Sequence, residues 1–143
     1  MKIKKANKRD FNNIATLMIN EYSKPPYNEK WTKNGAIKTL EYDSKYYDIH
    51  IGIVGKKIVG FIISGVEVYN DKKGIYCYEL VVGNKFQGKG YGKELMSFIE
   101  NRCSQIGGSY VHLSANIKSK AFKFYKKLGY EHSKNFVRMA KEI

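Results

Sequence analysis

The sequence predicts an α/β fold in which about six to seven strands alternate with about four helices, within one domain that spans residues 1–143. Two observations support this prediction. Some segments are runs of apolar, β-branched and aromatic residues, as in strands, and others carry apolar residues along one helical face. In addition, a strand-like run, Tyr76–Val82, leads into a glycine-rich loop and directly into a helical pattern. A chain of this length can bury a sizeable core without disulfides or metal ions.

The first 40 residues predict one strand and two helices. Met1–Ala6 has the pattern of a short strand, and a helix then begins at Asn7 or Lys8. The apolar residues of this helix fall on one face: Phe11, Ile14, Leu17 and Met18. Pro25-Pro26 ends it, because proline cannot continue a helix. The second helix is predicted from Thr32, whose side chain can cap it, to Leu40.

Three strands are predicted in the middle of the chain. Tyr47–Val54 and Ile58–Val68 are separated by the turn Gly55-Lys56-Lys57, so we expect a β-hairpin. Residues 70–74 form a second, polar turn. Ile75–Val82 follows and is expected to be the central strand.

The last third of the chain predicts two helices and three strands. Gly90–Ile106 is predicted as a helix ended by a glycine pair, followed by a strand at Tyr110–Ser114 and a helix at Ser119–Leu128. We expect Tyr130-Glu131 and Phe136–Lys141 to form a closing hairpin.

The loop between the central strand and the next helix has the composition of a phosphate-binding segment. It contains four glycines and several lysines but no acidic residue. Glycine lets the backbone approach a ligand closely, and a helix N-terminus carries about half a positive charge. Gly90 stands where an ATP- or GTP-binding loop needs the Ser or Thr that contacts Mg²⁺. A dinucleotide loop needs G-x-G-x-x-G, whereas the glycines here are spaced G-x-G-x-G.

Two motifs resemble signatures of the GNAT superfamily of N-acetyltransferases. Gln87–Gly92 (Q-G-K-G-Y-G) resembles the family's Q/R-x-x-G-x-G/A loop, and Ala121–Tyr130 (A-F-K-F-Y-K-K-L-G-Y) resembles its A-x-x-x-Y-x-K-x-G-F/Y motif. They occur in the family's order, one helix and one strand apart. The resemblance implies a mixed, twisted central sheet with helices on both faces. It also implies transfer of an acetyl group from acetyl-CoA to an amine of a small molecule, peptide or protein.

The resemblance further implies which residues contact acetyl-CoA. The glycine loop would bind the pyrophosphate, and the backbone of the central strand would pair with the pantetheine arm. The family usually has an asparagine three residues before the alanine of its second motif, where this chain has Lys118, and Asn116 lies two positions earlier. The residues implied are Leu80, Val81, Val82, Gln87, Gly88, Lys89, Gly90, Tyr91, Gly92, Asn116, Lys118 and Lys127.

Two residues are candidates for the acid and base chemistry. A primary amine is neutral in only about one molecule in a few thousand at pH 7, so the reaction needs a route for deprotonation. Glu79 is the only acidic residue between Asp71 and Glu94, and the resemblance makes it the candidate general base. Tyr125 stands where the family's tyrosine protonates or hydrogen-bonds the CoA thiolate. The alternatives are an edge or exposed glutamate on a strand face and a helix tyrosine that only packs.

The acceptor is not identified by any motif. Tyr27 and Trp31 lie in the connection between the first two helices, which overlies the acceptor pocket in the resembled family. They are therefore candidates for acceptor binding, and packing is the alternative.

Composition limits the partners. The net charge of +13 favours anionic ligands, but the basic residues are spread without a run of five, so nucleic acid is not expected as a partner. The alternative to an enzyme is a non-catalytic module that binds CoA or nucleic acid. The chain has no apolar run of 18 residues and no signal-peptide core, which predicts a cytoplasmic protein without membrane contact. We expect a monomer or homodimer.

Cysteine and histidine usage predicts neither a disulfide nor a metal centre. Cys77 and Cys103 fall in a strand and on the apolar side of a helix, so both are expected to be reduced core residues. His50, His112 and His132 are isolated in the sequence, so no metal site is expected.

Overall fold

The computed structural model describes residues 1–143 and contains five strands and four helices. The strands are β1 (Lys2–Lys5), β2 (Asp48–Val54), β3 (Lys57–Tyr69), β4 (Lys72–Val82) and β5 (Tyr110–Leu113). The helices are α1 (Phe11–Tyr22), α2 (Lys33–Asp43), α3 (Tyr91–Gln105) and α4 (Lys120–Lys127). Short 3₁₀ turns precede α1 and α3. The predicted order of elements from β1 to α4 is confirmed.

The five strands form one mixed sheet in chain order. Neighbouring strands from β1 to β4 are antiparallel, whereas β5 is parallel to β4. The parallel pairing is short and ends where Cys77 lies opposite Leu113. From Tyr78 to Val82, therefore, β4 has no neighbouring strand on this side.

Helices cover both faces of the sheet, and two cores result. The core under α1 and α2 includes Ile14, Met18, Leu40, Phe61 and Ile63. The core under α3 and α4 includes Ile62, Leu95, Met96, Ile99 and Cys103. A strand buried on both faces reads as a continuous apolar run, which explains Val59–Ile63.

Side-chain hydrogen bonds cap the N-termini of α2 and α4 and fix where these helices begin. The Thr32 hydroxyl accepts a hydrogen bond from the Gly35 amide at 3.0 Å, which confirms the predicted cap of α2. The Ser119 hydroxyl accepts one from the Phe122 amide at 3.1 Å at the start of α4.

The predicted closing hairpin is wrong. No strand follows α4, so the sheet has five strands rather than six or seven. Residues 131–143 are all exposed, including the apolar Phe136, Val137 and Met139. Tyr130-Glu131 is too short for more than one or two ladder bonds, and a segment that buries no side chain cannot offset the entropy of ordering.

Candidate active site

A β-bulge in β4 determines which of its side chains lie on the α1 face of the sheet. Ser64 pairs with Cys77, and the adjacent Ile63 pairs with Glu79, so Tyr78 is an extra residue in β4. A bulge reverses the alternation of side chains beyond it. Cys77 accordingly lies in the core under α3, whereas Glu79 turns to the opposite face and contacts α1.

Glu79 is half-buried and hydrogen-bonded to Tyr22, the last residue of α1. The Tyr22 hydroxyl donates to Oε2 of Glu79, and Oε1 receives no hydrogen bond from the protein. Burial raises the pKa of Glu79; the Tyr22 bond acts in the opposite direction, and the charges of Asp43 and Glu29 raise it further. The alternative of an exposed strand-face glutamate does not describe this environment.

Two aromatic side chains from the loop between α1 and α2 pack on Tyr22. The ring centroid of Tyr22 lies 5.5 Å from that of Tyr27 and 6.3 Å from that of Trp31. Trp31 Nε1 donates to Glu29 Oε2 at 2.6 Å. The loop thus brings both candidate acceptor residues beside the partner of Glu79.

The three carboxylates in this region have no cationic partner. Glu79, Glu29 and Asp43 take part in none of the ion pairs, although the chain has 26 lysines and arginines. Burial raises the pKa of Asp43. The negative charges of Glu29 and Asp43 therefore act on Glu79 without neutralisation by a salt bridge.

Tyr125 lies on the other face of the sheet, on α4. Its side chain is buried, and its ring centroid is 5.2 Å from that of Phe124 and 5.8 Å from that of Tyr130. Burial raises the pKa of Tyr125, and the charges of Cys77, Tyr27 and Glu79 add to the rise. Tyr125 belongs to the same buried cluster as Cys77, the last β4 residue paired with β5, so it packs near the point where these strands separate.

The separation leaves one edge of β4 open. The Gly83 amide donates to the Val59 carbonyl at 2.9 Å, so alternation in the antiparallel ladder turns Val81 toward β3 and Leu80 and Val82 away from it. The Val82 carbonyl accepts a hydrogen bond from the Gln87 side chain at 2.9 Å. The backbone of Leu80 faces the space that β5 leaves.

The glycine loop presents a row of free amide groups. Gly88 and Gly90 have left-handed φ values of +75° and +87°, and Gly90 is the N-cap of α3. The N–H groups of residues 88–93 find no acceptor within the protein. Lys89 and Lys93 are exposed at the same place. Free amides at a helix N-terminus, with lysines beside them, fit a phosphate group.

Gln87 and Gly92 make contacts within the protein. The Gln87 side chain donates to Glu21 Oε2 at 3.0 Å, and Glu21 Oε1 accepts from the Asn84 amide at 2.9 Å, so the loop is tied to α1. A Cβ on Gly92 would lie 3.2 Å from the ring of Phe124. The absence of a side chain at Gly92 therefore allows α3 to pack against α4.

The connection between β5 and α4 contains Asn116 and Lys118. The Asn116 side chain accepts from the Lys118 amide at 2.9 Å, and its carbonyl accepts from the Ser119 hydroxyl at 2.7 Å. Asn116 thus shapes the turn before α4. The side chains of Lys118 and, in the last turn of α4, Lys127 are exposed and form no ion pair.

A cleft of about 1080 Å³ lies between β5, α4 and the C-terminal segment. Tyr125 lines this cleft, but Glu79 and the glycine loop do not.

No group of His, Cys, Asp and Glu side chains could hold a metal ion. None of the helices combines the length and apolarity that crossing a membrane requires.

The sequence pattern gives no signal for Tyr22 and Glu21, the last two residues of α1. Their partners are 57 to 66 residues away along the chain. Only their position just before Pro25-Pro26, at the end of the first predicted helix, could have drawn attention to them.

The mixed sheet and the glycine loop at the start of α3 are matched by one family of acetyltransferases. The family model for the Acetyltransferase (GNAT) domain matches residues 15–141. The chain therefore belongs to the GNAT acetyltransferase family, and the resemblance of its two motifs is confirmed.

The individual proteins that this chain resembles share only a quarter or less of its residues. Glucosamine 6-phosphate N-acetyltransferase of Arabidopsis thaliana is 25% identical over 112 residues, which cover 68% of this chain and 74% of that protein. The structure of a transcriptional regulator from Bacillus halodurans C-125 matches with a TM-score of 0.81 at 16% identity, over 98% of this chain and 99% of that one. An aminoglycoside acetyltransferase, meta-AAC0020, from an uncultured soil metagenomic sample in complex with sisomicin, matches with a TM-score of 0.75 at 20% identity, over 99% and 95%. At these identities the structural matches show the fold.

Proposed function

We propose that the protein is an acetyl-CoA-dependent N-acetyltransferase whose acceptor is an amine of a small molecule, peptide or protein. The observation that supports this most directly is the position of Glu79 and Tyr125. Glu79 projects from one face of β4 and Tyr125 packs against the other, close to where β5 leaves the edge of β4 open. A protein that only bound CoA would need neither side chain.

The loop before α3 fits the phosphates of CoA. The amides of residues 88–93 and the positive end of the α3 dipole favour an anion there. Lys118 and Lys127 can add charge from the α4 side. Acetyl-CoA supplies the thioester from which the acetyl group is transferred. The backbone of Leu80 is free to hydrogen-bond the pantetheine arm, and an amide on this edge can polarise the thioester carbonyl.

Gln87 and Gly92 act indirectly in this proposal. The Gln87 side chain donates hydrogen bonds to Val82 and Glu21, and a Cβ at Gly92 would crowd the ring of Phe124. Both residues therefore help to hold the conformation of the loop before α3, whose amides would bind the phosphates.

Glu79 is proposed as the general base. Its raised pKa brings its basicity closer to neutral pH, which suits a group that must take a proton from an ammonium ion. Oε1, which has no donor within the protein, is the atom available to the acceptor amine, directly or through one water molecule.

Tyr125 is proposed as the hydrogen-bond donor to the departing sulfur. Its pKa is raised above the usual value for tyrosine, whereas a thiol has a pKa near 8.5, so full proton transfer to the thiolate would be uphill. A hydrogen bond from the hydroxyl requires no such transfer. Its contribution should be smaller than that of the base.

The acceptor side favours a cation. Glu29 and Asp43 add negative charge near Glu79, and Tyr27 and Trp31 offer ring faces that can contact an ammonium group. The named relatives include acetyltransferases for a phosphorylated amino sugar and for aminoglycosides. Of these two chemistries, we expect this chain to prefer the amine without a phosphate.

An acetyl-transfer screen tests the proposal. Purified protein is mixed with acetyl-CoA and a panel of amino sugars, polyamines, amino acids and peptides, and CoA release is measured. We expect amine-dependent release that falls about 10²- to 10⁴-fold in Glu79→Gln, because the variant keeps the shape of the side chain but not the base. Binding of CoA without transfer to any acceptor would instead support the non-catalytic module.

A further inference from the structure

We propose that Tyr22 is a positioning residue, which fixes one oxygen of the Glu79 carboxylate and thereby aims the other at the acceptor amine. This inference rests on the proposed function of Glu79. Its basis is the hydrogen bond from the Tyr22 hydroxyl to Oε2, the only hydrogen bond that the Glu79 side chain forms. The bond connects the end of α1 to the middle of β4.

The position of the Tyr22 ring is itself determined by neighbouring groups. The rings of Tyr27 and Trp31 pack against it, and the Glu29 amide donates to the Tyr22 carbonyl at 2.9 Å. The loop that carries the candidate acceptor residues is therefore built around Tyr22. A carboxylate held from this point has less rotational freedom than one held only by solvent, and catalysis is sensitive to misplacement of about 1 Å.

The bond also affects the charge state of Glu79. Burial and the charges of Asp43 on α2 and Glu29 in the loop favour the neutral acid, whereas a donor hydrogen bond favours the carboxylate. The other titratable groups near this site are Tyr27 in the loop, Tyr125 on α4 and Cys77 on β4. Burial raises the pKa of Tyr22, so its hydroxyl remains a donor throughout the working pH range.

Tyr22→Phe distinguishes the contribution of the hydroxyl group from that of the ring, because phenylalanine lacks the hydroxyl but keeps the aromatic packing. The matched control is Tyr130→Phe, which removes another tyrosine–glutamate bond, from Tyr130 to Glu100 Oε1 at 2.8 Å, on the opposite side of the sheet. Titration of the Glu79 carboxyl group by NMR in wild type and both variants does not require activity. The pH profile of kcat/KM is measured alongside it.

We expect the Glu79 pKa, and the midpoint of the acidic limb of kcat/KM, to rise by about one unit in Tyr22→Phe, the size expected for a lost hydrogen bond to a charged group. The plateau of kcat should fall roughly tenfold, and CoA affinity and the Tyr130→Phe titration should remain as in wild type. An unchanged or lowered Glu79 pKa in Tyr22→Phe, or an equal rise in Tyr130→Phe, would overturn the inference. A shifted pKa in a protein without transferase activity would overturn the proposed function instead.

Discussion

At the scale of single residues, Glu79 shows how a proposed catalytic group lowers the stability of the fold. Its pKa is raised, so the folded protein binds the proton more tightly than the unfolded chain does. The free energy of unfolding therefore falls as the pH rises from the pKa of Glu79 in the unfolded chain, near 4.5, through its higher pKa in the folded protein. Above both pKa values the whole of this loss of stability is present.

Glu79→Gln should consequently be more stable than wild type at pH 7 to 8. The glutamine side chain keeps an oxygen that can accept the hydrogen bond from the Tyr22 hydroxyl, but it carries no charge. The difference should shrink as the pH is lowered below the unfolded pKa. Melting temperatures across this pH range measure it, with the exposed Glu142→Gln as the control. A wild type that is equally stable or more stable at pH 8 would show that the charge is well accommodated.

Tyr125→Phe should lower kcat about 10- to 100-fold while the affinity for CoA is kept, because only the donor to a fairly good leaving group is lost. Steady-state kinetics and a direct CoA-binding titration separate these quantities. If kcat is unchanged, Tyr125 only packs in the core under α4, which is the alternative that its burial also allows.

At the scale of elements, the sequence predicts most of the framework because the signals are local. Thr32 and Ser119 cap the helices they precede, and the glycines before α3 end a strand and begin a helix. The side of the sheet that Glu79 faces could not be predicted, because Tyr78 and its neighbours suit either face and only the pairing with β3 shows the bulge. The strand expected at Phe136–Lys141 failed for a similar reason, since a strand pattern does not specify a pairing partner.

Gly90→Ala tests the glycine loop. At φ +87° an alanine is strained, and its Cβ would project from the loop into open space, where nothing within 4 Å opposes it. CoA affinity should fall at least tenfold, about 1.4 kcal/mol, because the amides on both sides of this residue are displaced. Isothermal titration with CoA measures the loss.

Gly55→Ala is the matched control, because Gly55 also has a left-handed φ, +59°, and open space around its Cβ, but lies in the β2–β3 turn. Both variants should lose similar stability, and only Gly90→Ala should lose affinity. Equal affinities in the two variants would mean that the phosphates bind elsewhere.

At the scale of the whole molecule, the proposed function needs one region that binds an anion, CoA, and another that binds an amine. The net charge of +13 predicts an anionic ligand, and the lysines beside the free amides at the start of α3 agree with it. The average says nothing about the proposed acceptor side, where Glu29, Asp43 and Glu79 form no ion pair. The contact of Tyr22 with Glu79 joins segments 57 residues apart, so the surroundings of Glu79 are visible only in the folded chain.

Ligand linkage provides a test of the whole assembly of loop, strand edge and helix dipole. Acetyl-CoA at about 100 times its Kd should stabilise the fold by about 2.7 kcal/mol, which for a domain of this size raises Tm by on the order of 10 °C. ATP with Mg²⁺ should give a much smaller shift, because Gly90 leaves no hydroxyl for the metal and ATP has no pantetheine arm to pair with the open edge of β4. Thermal melts in both ligands measure the difference, and Glu79→Gln should keep the acetyl-CoA shift because its side chain is not assigned to the phosphates. Equal stabilisation by ATP with Mg²⁺ would contradict the assignment of the loop to CoA.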